Sequence, residues 1–411
     1  MKRFTAVAGT VLSGLLILWS ALPLPVLAQA QQEPIKIGVI YGLGGAAAPY
    51  TKPAITGHEL AVDEINAKGG LLGRKLQLVI RDDQSKPDVG IREARDLILK
   101  EKVDFLMGVI HSGVALGISE VAKEYKKLYL NTIAKTAALT EEKGHRYVFR
   151  SASNTAIEGR AAAILMADKP FKRYAVIGPD YEYGHRMVDD FIGYLKTLKP
   201  GVQVVAEAWP KFGERDFTAH VNALLQAKPD MVYSSLWGGD AIAFVKQAKP
   251  YGFFTKTQYM NIAAADLDVV VPLGAETPEG IWGSSNYAFY HPDTPANREF
   301  VAKYKAKAND LPPAGAFFGY VGTYFLAEAI RKAKSADTEK VIDALEGLTI
   351  ETPIGPLTMR AYDHQATKGQ YWGRLKRVPE FPFPIMGDVQ LIGGEKTLRP
   401  VDEIKALRGA K

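Results

Sequence analysis

His111 and Ser112 stand side by side just past the apolar run Val103–Gly108, and Ala134 and Lys135 stand just past a second run, Lys127–Asn131. A hydroxyl beside an imidazole could act as a nucleophile with its base, whereas a hydroxyl near an ammonium group could receive an anion. Ile110 breaks the G-x-S-x-G elbow, and no acid can be assigned to orient the imidazole, so a secreted hydrolase is the lesser alternative. Asp82 and Asp83 are adjacent, and neighbours on a strand point to opposite faces, which makes them loop carboxylates for backbone N–H groups and not an acid/base pair. The 7 histidines are scattered without H-x-x-H or H-E-x-x-H spacing, and cysteine is absent, so no metal, disulfide or thiolate chemistry is expected. Gly42-Leu43-Gly44-Gly45-Ala46-Ala47 fits the dinucleotide pattern G-x-G-x-x-A, but Pro49 and Pro53 separate it from the helix it should open. A dinucleotide-binding enzyme is therefore a second lesser alternative, and no cofactor is expected.

The elements that must position these residues follow a regular plan. Each of the two apolar runs precedes a small polar turn and a helix, so the strands should lie parallel with their C-terminal ends on one edge. Ser112 is expected to cap the first of these helices, and such an edge suits an anion. Ahead of them come a strand at Ile35–Tyr41, a flexible turn ending at Tyr50, a helix at Ala54–Lys68, a strand at Lys75–Asp83 and a helix opening at Pro87. This βαβαβαβ order predicts a parallel sheet covered on both faces. After Tyr147–Ser153 the alternation restarts, with strands at Arg173–Asp180, Asp230–Trp237 and Thr257–Ile262 among helices. A strand at Gly280–Ser284 precedes helices at Pro295–Asn309 and Gly315–Lys334, and the segment GPLTMRAYDHQATKG followed by YWGRLKRV reads as a closing hairpin. The expectation is α/β: two doubly wound parallel-sheet lobes, residues 31–151 with 284–365 and residues 152–283 with 366–411. Crossovers near Ser151, Ser284 and Gln365 form the hinge. Tyr50, Tyr183 and Trp237 fall just beyond strand ends, where two facing edges would enclose a ligand.

Composition sets the compartment and excludes some partners. The chain is 47% hydrophobic and 23% charged, enough apolar content for two large cores. Residues 1–30 have a basic start, an apolar centre and Ala28-Gln29-Ala30 at a small-x-small cleavage pattern, so a signal peptide cut after Ala30 and export to the periplasm are expected. The net charge of +6 includes Lys2 and Arg3 of that leader, and the remaining surplus forms no basic stripe, so no nucleic-acid partner is expected.

IKIGVIYGLGGAAAPY, GHELAVDEINAKGGLLGRKLQLVIRDDQSKPD, ARDLILKEKVDFLMGV and GPDYEYGH together resemble the Leu/Ile/Val-binding proteins, periplasmic receptors of ABC importers. The likeness runs in order over nearly all of the chain after the leader. It implies a type I periplasmic-binding fold, no enzymatic activity, and a monomer that closes on its ligand and delivers it to an inner-membrane permease. It also implies that Tyr50 lies on the first binding loop, that Ser112 and the Ala134 N–H receive a carboxylate, and that Tyr183 and Trp237 line the second lobe. Two positions depart from the family: Lys135 replaces a hydroxyl residue, and Ala263 stands where a carboxylate holds the ammonium group of an amino acid. A buried ammonium without a counter-charge is costly. The expected ligand is therefore an aromatic or phenylpropanoid carboxylate held by Ser112, Lys135 and backbone N–H groups, with His111 as an added donor and the ring against Tyr50, Tyr183 and Trp237. A branched-chain amino acid or amide is the alternative, and it requires Asp240 or Asp266 to reach in. Lys135 pointing to solvent at the rim is the competing placement.

Overall fold

Ile35–Tyr41 is apolar at nearly every position and forms β1, a strand buried on both faces inside a parallel sheet. The computed structural model describes residues 1–9 and 33–409. Residues 1–9 contain no helix or strand, and the rest of the expected leader and its cleavage site lie outside the described residues. From Glu33 onward the chain forms one compact unit built on two main sheets.

The first sheet has the order β2-β1-β3-β4-β5, all parallel, with β2 at Leu76–Asp82, β3 at Phe105–Gly108, β4 at Tyr129–Asn131 and β5 at Val148–Arg150. Between them run α1 (Ala48–Ala67), α2 (Pro87–Leu99) and α3 (Ser112–Glu124). Helix α1 starts earlier than its pattern predicts: Pro49 sits in the first turn, where the missing N–H has no acceptor anyway, so Tyr50 lies on the helix and not in a loop.

The chain then crosses to the second sheet, order β14-β13-β10-β9-β8-β6-β7. Helix α4 (Thr155–Ala167) leads to β6 (Arg173–Ile177), α5 (Glu182–Leu198), β7 (Gln203–Ala208), α6 (Thr218–Gln226), β8 (Met231–Ser234) and α7 (Gly238–Ala248). Next come α8 (Phe253–Lys256), β9 (Gln258–Asn261), α9 (Leu267–Leu273) and β10 (Trp282–Ser285). The chain returns through α10 (Pro295–Ala308), α11 (Ala314–Ala333) and α12 (Thr338–Leu345), and α11 packs along α1. That contact is close because glycines face backbone: a Cβ at Gly315 would lie 2.0 Å from Tyr50 O, and one at Gly319 would lie 2.1 Å from Ala54 O. Helix α11 thereby fixes the turn that carries Tyr50.

The predicted closing hairpin is corrected. β11 (Thr349–Ile350) pairs with β12 (Leu357–Thr358), while β13 (Gln370–Lys376) pairs antiparallel with β10 on one side and with β14 (Ile385–Ile392) on the other. The proline-rich stretch just before Ile385 hides β14 from a reading of periodicity. Helices α13 (Gly394–Thr397) and α14 (Val401–Gly409) end the described chain.

The crossover segments bond to one another. Arg150 N–H donates to His364 O at 2.8 Å, Ala366 N–H donates to Arg150 O at 2.9 Å, and Gln365 Nε2 donates to Ala152 O at 2.5 Å. Ser284 Oγ donates to Tyr371 O at 2.8 Å. No helix among the described residues is long and apolar enough to cross a membrane.

Candidate functional site

The two sheets turn the C-terminal ends of their parallel strands toward a shared cavity with about 430 Å³ of space unfilled by atoms, its mouth included. From the first sheet's side come Tyr50 on α1, Ile110 after β3, Ile133 and Lys135 after β4, and Phe318 on α11. From the second come Glu158 on α4, Tyr181 and Tyr183 after β6, Trp237 after β8, Ala263 and Asp266 after β9, and Asn286 after β10.

The aromatic wall is continuous. Tyr50 meets Trp237 edge-on at 5.9 Å, Tyr183 meets it at 6.5 Å, and Phe212 stacks behind it at 5.2 Å. Of the seven residues predicted to bind ligand, Tyr50, Lys135, Tyr183 and Trp237 line the cavity.

His111, Ser112 and Ala134 do not line it, and their bonds give the reason. Helix α3 begins at Ser112 with His111 as an N-cap that makes no side-chain cap bond, so Ser112 is not the predicted cap. Its Oγ instead accepts from Thr136 N–H at 3.2 Å. The Ala134 N–H already donates to Val109 O at 3.0 Å and is not free for a carboxylate. The His111 ring stacks on Tyr181 at 4.3 Å, and burial pushes its pKa down to about 4, so it is neutral near pH 7. Within the Gly42–Ala47 run, Ala46 packs against the start of α7, where a Cβ at Gly238 would lie 2.3 Å from Ala46 O, while Gly44 and Gly45 are exposed.

Lys135 lies in the cavity wall and not at the rim. Its Nζ is 2.9 Å from each of Ser153 Oγ, Asn286 Oδ1 and Glu158 Oε1, and it sits 4.5 Å above the Phe318 ring. Burial lowers its pKa, and the Glu158 carboxylate opposes that effect. Ser153 Oγ also donates to Glu158 Oε1 at 2.6 Å.

Asp266 lines the cavity, as the amino-acid alternative requires of it or of Asp240. Its Oδ2 accepts from Tyr50 O–H at 2.7 Å, and its Oδ1 accepts from Ser285 O–H at 2.6 Å and from Asn286 N–H at 3.1 Å. Burial raises its pKa to about 6 against those bonds. Asp240 is engaged elsewhere, accepting from Gly213 N–H at 3.0 Å. Lys368 is buried with its Nζ donating to Gly369 O at 3.1 Å, and burial, reinforced by the charge of Lys135, lowers its pKa to about 7.

Sequence reasoning missed Glu158, Tyr181, Asn286 and Phe318. Asn286 could have been found, since it follows the end of a predicted strand just as Lys135 does. Glu158 and Phe318 carried no such signal, because each lies within a helix whose orientation the sequence does not fix. Among the described residues no cluster of His, Cys, Asp and Glu could hold a metal ion.

Facing α/β sheets joined by bonded crossover strands, with an aromatic, ion-paired cavity between their strand ends, define a two-lobed receptor for a small solute. Residues 34–378 match the family described as periplasmic binding protein, and the chain belongs to that family. It is 30% identical over 341 residues to a Leu/Ile/Val-binding protein of Rhizobium johnstonii, covering 79% of this chain and 87% of that one. It is 29% identical over 335 residues to the Leu/Ile/Val-binding protein of Escherichia coli K12, covering 80% and 87%. Among solved structures it is similar to a solute-binding protein of an R. palustris ABC transporter in complex with benzoate, with a TM-score of 0.77, 24% identity and coverage of 88% and 96%. The family is one of solute-binding transport proteins, which implies export, a small-molecule ligand and a membrane permease.

Proposed function

We propose that this protein binds a small aromatic or phenylpropanoid carboxylate between its lobes and delivers it, as a monomer, to an inner-membrane permease. The leader is removed after Ala30, and the lobes comprise residues 31–151 with 284–365 and 152–283 with 366–411. The observation that carries the ligand reading is Lys135, a cation in the wall of a mostly apolar cavity beside Tyr50, Tyr183, Trp237 and Phe318. A flat ring fits between such side chains, and a carboxylate bonds strongly to a desolvated ammonium group. The benzoate complex of the R. palustris protein is consistent with this ligand class.

A second reading rests on Asp266, which supplies the counter-charge that an α-amino acid needs. The relatives named as Leu/Ile/Val-binding proteins favour it. Against it, three of the acceptor positions of Asp266 are already taken by Tyr50, Ser285 and Asn286, so an ammonium group would have to compete for them.

Calorimetric titration with benzoate, 4-hydroxybenzoate and cinnamate, set against leucine, isoleucine and valine, decides between the two. Saturable 1:1 binding of an aromatic acid without turnover is expected. Tight leucine binding with no response to the aromatic acids would overturn the proposal.

A further inference from the structure

Lys135 has three ammonium hydrogens, and the protein supplies three acceptors at 2.9 Å: Ser153 Oγ, Asn286 Oδ1 and Glu158 Oε1. A ligand oxygen can therefore reach Nζ only by displacing one of them. Ser153 and Asn286 are neutral dipoles, whereas Glu158 is a full carboxylate with only 1% of its side chain exposed. We infer that Glu158 sets the charge selectivity of the cleft by competing with ligand carboxylates for Lys135. This rests on the reading that the ligand presents a carboxylate to that lysine.

The physical reason lies in the desolvation of the pair. If the ligand displaces Glu158, a buried carboxylate is left with the Ser153 hydroxyl at 2.6 Å and without its ion-pair partner, which is unfavourable. If the ligand displaces Ser153 or Asn286, its own negative charge lies beside Glu158 across a shared ammonium group, in an interior that screens poorly. Either route penalises the ionised form of a ligand against its uncharged amide. A glutamine at 158 keeps an acceptor for Nζ and the shape of the wall, and it removes the competing charge.

The test compares dissociation constants of the pairs benzoate and benzamide, cinnamate and cinnamide, and leucine and leucinamide, for the native protein and Glu158→Gln. The preference for carboxylate over amide should rise at least tenfold in Glu158→Gln. Asp266→Asn removes an equal charge from the same cavity without touching Lys135, and it should change that preference by less. Should Glu158→Gln fail to fold, the doubly substituted Lys135→Gln/Glu158→Gln protein leaves neither charge unpaired, and it should lose any preference for carboxylate.

An unchanged preference in Glu158→Gln, or an equal rise in Asp266→Asn, overturns the role of Glu158 and leaves the ligand reading standing. Binding of leucine without any aromatic acid overturns the ligand reading, and the leucine pair still decides on Glu158. No binding of any of the six compounds overturns both.

Discussion

Lys368 is 0% exposed, and its Nζ donates to a single carbonyl, Gly369 O at 3.1 Å. Burial lowers its pKa from 10.5 to about 7, so between those values the unfolded chain holds a proton that the folded protein does not. Stability should therefore rise as pH climbs from about 7 toward 10.5 and fall on the way back down. Asp266 shifts the proton count the opposite way, so its slope is opposite. Its pKa is raised from 3.8 to about 6, the folded state holds the extra proton, and its contribution to stability declines as pH rises through that window. Lys368→Met should raise stability at pH 7 by about 1 to 4 kcal/mol, the range found when buried charges give way to apolar side chains. Denaturant melts at pH 7 and pH 10 check it: the variant should show a smaller gain between the two than the native protein. An equal gain would mean that Lys368 is not the group that titrates.

At the scale of elements, the segment after β13 ties both sheets together. Arg399, between α13 and α14, contacts Glu141 in the loop after β4 at 2.8 Å and Asp190 on α5 at 2.5 Å, while Arg408 on α14 donates to Glu141 O at 2.9 Å. Residues beyond 378 lie outside the matched family region, so this tie is formed by a part of the chain that the family match does not cover. Both carboxylates are nearly enclosed, with 2% and 5% of their side chains exposed, so removing the guanidinium leaves two buried charges without their cation. Arg399→Met should destabilise the fold by about 3 to 5 kcal/mol, read from urea unfolding. A change below about 1 kcal/mol, as found for surface pairs, would show that solvent reaches the cluster.

For the whole molecule, side-chain bonds join the two sheets' sides around the cleft. Thr136 Oγ1 donates to Glu182 Oε1 at 2.7 Å, Arg186 pairs with Glu142 at 2.5 Å, and Tyr50 reaches Asp266 at 2.7 Å. Gly238 opens α7 at φ 53° with Ala46 O in the place where a Cβ would sit. Gly238→Ala should wedge α7 away from the turn at 45–47, because alanine is strained at that φ and the carbonyl cannot be compressed. Ligand affinity should drop roughly tenfold, about 1.4 kcal/mol, and the radius of gyration with ligand present should rise toward the ligand-free value. An unchanged scattering curve and affinity would mean that this contact does not hold the lobes together.

Much of this protein was legible in one dimension. Apolar runs such as Ile35–Tyr41 and Phe105–Gly108 fixed the strands, because a strand buried on both faces must be apolar throughout. Their alternation with helices fixed the parallel sheets, and chain direction then fixed which edge Tyr50, Lys135, Tyr183 and Trp237 would share. Tertiary structure alone decided what those residues meet. Lys135 and Asn286 are separated by 151 residues, and Tyr50 and Asp266 by 216, so only the approach of two sheets could pair them. The same approach placed Glu158 beside Lys135, while the neighbouring strand ends of the first sheet occupied Ser112 with Thr136 and Ala134 with Val109. Period and composition report which face of an element is buried, but the partner across a buried face depends on how whole sheets are set against each other.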